Sequence, residues 1–513
     1  MNKIAFILMI IFSVCTSCED FLDIKPMGKL VPDEIEEFEN LLNGKKTYQS
    51  VFMYGNGNCP MMAFSDNVCM ADVVARGYFN STSVFLDWFG AYALYYPVLK
   101  PDQADVMYDQ IYHSVAIFNN VIEGIKGIGK DKDPYGMNVI AQARGARAWA
   151  LLHLGISYGP MYNPSGDNSE LSIAYRESEV PLVENPQRST VEELFKKAED
   201  DLLYAVNYAP DVVNRPVKLS KSTAKALLAE LYMYKGDFEN MYKYASEAWE
   251  ELVESRGGVE NLIYDYNQWE FNYVSGVTPN PGEDVEVKLT ISSPDNLHRA
   301  VYNREYLFYR QCAWRSYSFQ MTPEYLALFK EGDRRDHLFL LKAQGVKGTY
   351  NNVPYDEGIV VADYRSRKAA VNQGMTSPIL LLMVAEAAAR TNRTSEAMEA
   401  LRTVRKYRYE PEYAAIEDLS GDALIQEVLN ERRREQPIST PERYWDLRRL
   451  YFDSGKSWTK QQITRTILGQ TVSREINSPE FQLNIANVYI EFNSHWGLTP
   501  FTGTWEPYAR FEE

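Results

Sequence analysis

The 513 residues are 45% hydrophobic and 24% charged, enough for a packed core inside a soluble exterior. They exceed the usual single-domain size, and a helical repeat array is the architecture that grows this long as one body. The formal net charge of −17 excludes nucleic acid and an anionic membrane surface as partners, because both repel an acidic protein.

The chain opens on a leader. Lys3 supplies a positive start, Ile4 to Val14 an apolar run of eleven residues, and Thr16 and Ser17 the small residues a signal peptidase accepts. Crossing a hydrocarbon core of about 30 Å takes roughly 20 apolar residues, so the run reads as a leader, residues 1–17, that is removed. A break before Cys18 resembles the bacterial lipoprotein signal, in which that cysteine becomes the lipidated N-terminus; an ordinary secretory leader cut elsewhere is the alternative. No other segment offers eighteen uninterrupted apolar residues. With Cys15 lost and Cys18 lipidated, Cys59, Cys69 and Cys312 remain. Export permits a Cys59–Cys69 disulfide, and three buried free thiols are the other reading.

The body, residues 18–513, reads as helix pairs at about 30–50, 103–158, 190–253 and 377–450. Gln103 to Ile125 carries Tyr108, Ile111, Tyr112, Val115 and Asn119. Ala141 to Tyr158 follows, and its partner Thr190 to Ala205 opens with a capping box in which Thr190 precedes Glu193 by three. Ser222 to Lys235 sets Ala226, Ala229 and Tyr232 on one stripe; Gly236-Asp237 breaks it before Phe238 to Trp249. Pro378 to Arg405 repeats the pattern, with Ala229-Glu230-Leu231 matching Ala385-Glu386-Ala387, and Met241 and Ala397 each twelve residues beyond the leading alanine. These units resemble tetratricopeptide repeats. The expected fold is mainly α, a tetratricopeptide-like helix-pair array (an α-α superhelix). Long irregular insertions at about 53–101 and 257–374, with the C-terminal 451–513, form a second lobe, and Val285 to Thr290 is a β-like run inside one of them.

Enzyme motifs fail. Gly124 to Lys130 has the spacing of a phosphate loop, but Asp131 replaces the metal-binding hydroxyl residue and a helix precedes it. The five histidines are scattered with no i,i+4 pair, and no G-x-S-x-G elbow occurs. The chain therefore reads as a non-enzyme without a cofactor or catalytic metal, with a structural calcium ion left open. Glu431, Arg434, Glu435, Arg443, Asp446 and Arg448 fall on two helical segments close enough for ion-pair networks, read as a latch between the last helices and the array.

Several short motifs agree in order with one family. Cys18-Glu19-Asp20-Phe21-Leu22-Asp23-Ile24-Lys25-Pro26 looks like the opening of mature SusD/RagB lipoproteins, the nutrient-binding partners of outer-membrane transporters. Ala146-Arg147-Ala148 with Tyr158-Gly159, Pro186 to Val191, Asp333-Arg334-Arg335, Glu431 to Glu435 and Glu442 to Arg449 resemble its later motifs. Two departures mark a divergent branch. Leu483-Asn484-Ile485-Ala486 stands where the family reads leucine-proline-isoleucine-proline, and Gln436-Pro437-Ile438 replaces an apolar-Glu-Gly turn.

The resemblance implies a lipid-anchored outer-membrane protein, facing outward by the acidic Glu19-Asp20. It would capture an oligosaccharide, or a peptide, and serve as the lid of a TonB-dependent, SusC-like barrel. An assembly scaffold and a secreted hydrolase are the other classes. Ligand contacts would come from two regions, Asp66 to Pro101 and Trp269 to Tyr317. In the first, Ser65-Asp66-Asn67 resembles a family turn. Trp88, Tyr92 and Tyr95 would share a helical face beside Tyr96, and Asp66, Asp72 or Arg76 would fix polar groups. The second offers Trp269, Tyr273, Tyr306, Trp314 and Tyr317. The opposing reading packs both aromatic sets on the array.

Overall fold

The computed structural model describes residues 32–49, 51–52, 59–72, 75, 90–178, 185–268, 270–276, 284–290, 303–312, 320–335, 341–342, 346–350, 353–357, 360–361, 371–507 and 511. Cys18 and the leader lie outside them. Eleven of the described helices carry the argument: α1 Ile35–Leu42, α2 Val106–Gly127, α3 Pro134–Tyr158, α4 Val191–Tyr208, α5 Lys221–Lys235 and α6 Phe238–Arg256 come first. They are followed by α7 Ser377–Arg390, α8 Thr394–Arg408, α9 Gly421–Glu435, α10 Glu442–Leu450 and α11 Asn487–Phe492.

Local chemistry places the ends. The Asp105 carboxylate accepts from the N–H groups of Met107 and Tyr108 and caps α2. Asp133 does the same for α3, with Pro134 at the first helical position, so α3 begins seven residues before the expected Ala141. The Thr190–Glu193 capping box of α4 is formed in both directions. Gly236, at φ +71°, ends α5 in the left-handed conformation that lets α6 start at once.

From α2 to α7 each helix packs against the next, and α7 packs on α8 and α9. The chain leaves the array after α6, runs through the long insertion, and returns so that α7 lies directly on α6. The result is the helix-pair superhelix expected from the repeats. Close approach needs small residues. A Cβ on Gly145 would meet a Leu219 methyl at 2.3 Å, and one on Gly155 would meet Leu194 at 2.5 Å. Strands among the described residues form only two-stranded antiparallel ladders. Three of them join neighbouring segments: Glu270–Gly276 with Asp284–Thr290, Val346–Tyr350 with Val353–Glu357, and Gln462–Ile467 with Gln470–Glu475. No described helix is long and apolar enough to cross a membrane.

Cys59, Cys69 and Cys312 form no disulfide with one another, so the Cys59–Cys69 bridge is not made. Cys69 is instead committed to a two-residue strand, Val68–Cys69, paired with Gln320–Met321.

The charged motif near the C-terminus is buried and paired. Arg335 meets Asp333 at 2.8 Å, Glu431 at 2.5 Å and Glu435 at 3.1 Å, while Arg408 meets Glu435 and Glu305, each at 2.8 Å. Asp446 holds Arg432 at 3.1 Å and Arg449 at 2.6 Å, and Arg449 reaches Glu386 of α7 at 2.7 Å. This network joins α7, α8, α9 and α10 to the insertion. Arg448 plays a different part: its guanidinium donates to the carbonyls of Ile156 and Gly159 and to Asn477.

Candidate functional site

The Asp66 turn follows a one-turn helix, Met61–Phe64. Arg443 of α10 grips the Asp66 carboxylate with two bonds of 2.7 and 2.9 Å, Lys460 stands at 2.6 Å and Arg433 at 3.4 Å. Burial alone would push this carboxyl up; Arg443, Arg433 and Lys460 hold it well below the usual carboxylate range. Its carbonyl accepts from the Thr322 hydroxyl at 3.0 Å, and Arg433 donates to Asn67 at 2.6 Å. Asp66 is 6% exposed and has three cations to neutralise. It fastens the loop and does not face a ligand surface.

The aromatic run divides. Helical structure stops at Tyr92, and Leu94 turns the chain at φ +55°, so Tyr92 and Tyr95 share no helical face. Tyr92 is 2% exposed: its hydroxyl accepts from the Met70 N–H at 2.9 Å, and the Arg465 guanidinium lies 4.8 Å from its ring centre. It belongs to the core. Tyr95 is half-buried and meets Trp505 edge to face, with centroids 6.0 Å apart. Trp505 in turn donates to the Pro97 carbonyl at 2.9 Å. Tyr96 is 41% exposed. Asp72, on the surface, accepts from the Leu468 N–H at 2.8 Å at the tip of the C-terminal hairpin. Tyr306 is half-buried and stacks on Tyr309 at 5.5 Å. Tyr273 sits in the strand Glu270–Gly276, paired with Val287. Arg76, Trp88, Trp269, Trp314 and Tyr317 lie outside the described residues.

Tyr96 stands over a cleft of about 660 Å³, walled also by Tyr158, Arg188, Asn484, Asn487 and Phe501. Arg188 is aimed by two bonds of 2.6 Å to the carbonyls of Leu171 and Ser172. Asn484 accepts from the Leu99 N–H at 2.9 Å, tying the far wall to the Tyr96 segment. Asn487 and Phe501 exchange bonds of 2.7 and 2.9 Å, which closes the C-terminal loop. Tyr158 donates at 2.6 Å to Asp105, whose carboxyl burial pushes up to about 6. An exposed ring facing amides, hydroxyls and a guanidinium suits a ligand with both an apolar face and many hydroxyls. Among the described residues expected at a ligand site, Tyr96 lines this cleft, and Arg188, Asn484 and Asn487 join it without having been among those expected.

Residues 20–233 match the family model described as "Starch-binding associating with outer membrane", and residues 380–487 match that of the SusD family. No curated protein matches. Several solved structures are similar along nearly their whole length. A putative sugar binding protein from Bacteroides vulgatus ATCC 8482 is 17% identical, with 91% of this chain and 98% of that one covered and a TM-score of 0.62. A SusD superfamily protein from Bacteroides thetaiotaomicron VPI-5482 is also 17% identical, covering 90% and 98% at a TM-score of 0.60. A SusD-like carbohydrate binding protein from Bacteroides fragilis NCTC 9343 is 14% identical, covering 90% and 98% at 0.59. At such identities the likeness establishes the fold.

Proposed function

The chain belongs to the SusD/RagB family, and from that premise we propose that it is a lipid-anchored outer-membrane protein that captures an oligosaccharide and passes it to a TonB-dependent barrel. One observation carries the binding half. The two family-matched segments meet at the cleft, Tyr96, Tyr158 and Arg188 coming from the first and Asn484 and Asn487 from the second. A sugar ring would lay its C–H face on Tyr96 and spend its hydroxyls on Arg188 and on the amides opposite. The cleft binds and does not cleave; the ligand leaves it unchanged, into the barrel that the protein covers as a lid.

Calorimetry against a panel of neutral oligosaccharides tests the binding half. Tyr96→Ala is expected to weaken the best ligand about tenfold, near 1.4 kcal/mol, with the thermal midpoint unchanged. Equal affinity in the variant, tighter binding of peptides, or glycan cleavage during the titration overturns it.

For the anchor, Cys18→Ala is expected to move the protein from the membrane to the soluble fraction, because two or more acyl chains hold firmly where none remain after the change. Retention at the membrane would contradict the lipoprotein reading. Gentle detergent extraction and mass spectrometry of what a C-terminal tag pulls down tests the partner: a TonB-dependent barrel supports the lid, and assembly proteins in its place favour a scaffold.

A further inference from the structure

On another face of α11 from the cleft lies a second cavity, of about 570 Å³. Its walls are aromatic. Tyr108 and Tyr112 of α2 have centroids 4.8 Å apart, and Tyr489 of α11 stacks on Tyr108 at 4.9 Å. Phe492 stands at the rim with 74% of its surface exposed, beside Val488 at 51%. Trp496 closes another side, its indole N–H donating to the Pro186 carbonyl at 2.6 Å.

Several polar groups of the wall are already taken: the Asn119 amide donates to the carbonyls of Arg176 and Ser178, and the Asn493 amide to that of Tyr489. The carboxylate of Asp109 is exposed on α2 in the cavity wall, while the Tyr489 hydroxyl donates to the Asp105 carbonyl at 3.5 Å. The Tyr112 hydroxyl donates to the Ala174 carbonyl at 2.8 Å. The buried Tyr108 hydroxyl has no aligned hydrogen-bond partner. Arg176, the one cation in the wall among the described residues, is itself engaged.

An oligosaccharide needs a hydrogen bond for nearly every hydroxyl, and here the amides of Asn119 and Asn493 already serve backbone carbonyls. An anion would meet Asp109 and a protein of net charge −17. Ring faces carry negative quadrupole charge and attract cations, the more so beside a carboxylate. We propose that this cavity binds a small organic cation with an apolar body, an aryl- or alkylamine, whose body lies among Tyr108, Tyr489, Phe492 and Trp496 and whose ammonium group faces Asp109. The site is separate from the glycan cleft and does not depend on it.

The test uses one indole body with three charges: tryptamine, indole-3-ethanol and indole-3-acetate, titrated calorimetrically into the full chain. Tryptamine is expected to bind about tenfold more tightly than the other two. Phe492→Ala removes a largely exposed ring, so the thermal midpoint should hold while tryptamine affinity falls about tenfold. Asp109→Asn should narrow the preference for tryptamine, leaving what the ring faces contribute. Absence of saturable tryptamine binding overturns the proposal. So does equal binding of all three by the unchanged protein, or tryptamine affinity indifferent to Phe492→Ala.

Discussion

Asp66→Ala is expected to lower the free energy of unfolding by about 3–5 kcal/mol, the range seen when one partner of a buried charge cluster is removed. The carboxylate lies 2.7 Å from Arg443, 2.6 Å from Lys460 and 3.4 Å from Arg433. Without it the two bonds from the buried Arg443 lose their acceptor, and Glu324 alone is left to offset Arg433 and Lys460. Asp72→Ala is the control: that carboxylate is on the surface and accepts one backbone N–H, so its loss should stay within about 0.5 kcal/mol. Urea denaturation of the two variants decides. Equal midpoints would mean that Asp66 is not the fastening group and would return it to the ligand surface.

Glu431→Gln should be as damaging. Glu431 of α9 neutralises Arg335 at 2.5 Å and Arg434 at 2.6 Å, with Arg405 at 3.4 Å. Glutamine keeps the shape and takes one charge out of the buried cluster, leaving Arg335 with Asp333 and Glu435 and Arg434 with Glu427, at a cost again of about 3–5 kcal/mol at neutral pH. The effect carries a pH signature. Burial raises the Glu431 carboxyl, but Arg335 and Arg434 overcome that and lower it to about 2 from 4.5. Because the folded value lies below the unfolded one, the stabilisation is complete above about pH 4.5 and fades as the pH falls toward 2. The difference between native and variant proteins should therefore narrow steadily over that interval. A difference constant with pH would show that packing, not charge, is responsible.

The capping box at Thr190 and the break at Gly236 are local, set by chemistry within a few positions, and both stand where the pattern put them. The family motifs were equally legible, since they recur in order along one chain. The charge latch was legible as a network but not as pairs. Asp446 pairs with Arg432 and Arg449, Arg443 reaches Asp66 instead, and Arg448 serves backbone carbonyls.

The segment expected to hold ligand was the least legible. Tyr92 looked like a surface aromatic because its own neighbours, Ala91 and Ala93, say nothing about what covers it. The cover is Arg465, which comes from the C-terminal hairpin. Trp505 likewise sets the position of Tyr95 and Pro97 from the end of the chain. Periodicity, caps and ordered motifs act over one or two helical turns, so the sequence by itself determined the helix array and the family. Which carboxylate is a fastener, which ring is core and which ring faces the cleft depend on side chains hundreds of positions apart. Burial decides those roles, and only the folded chain brings the burying partners together.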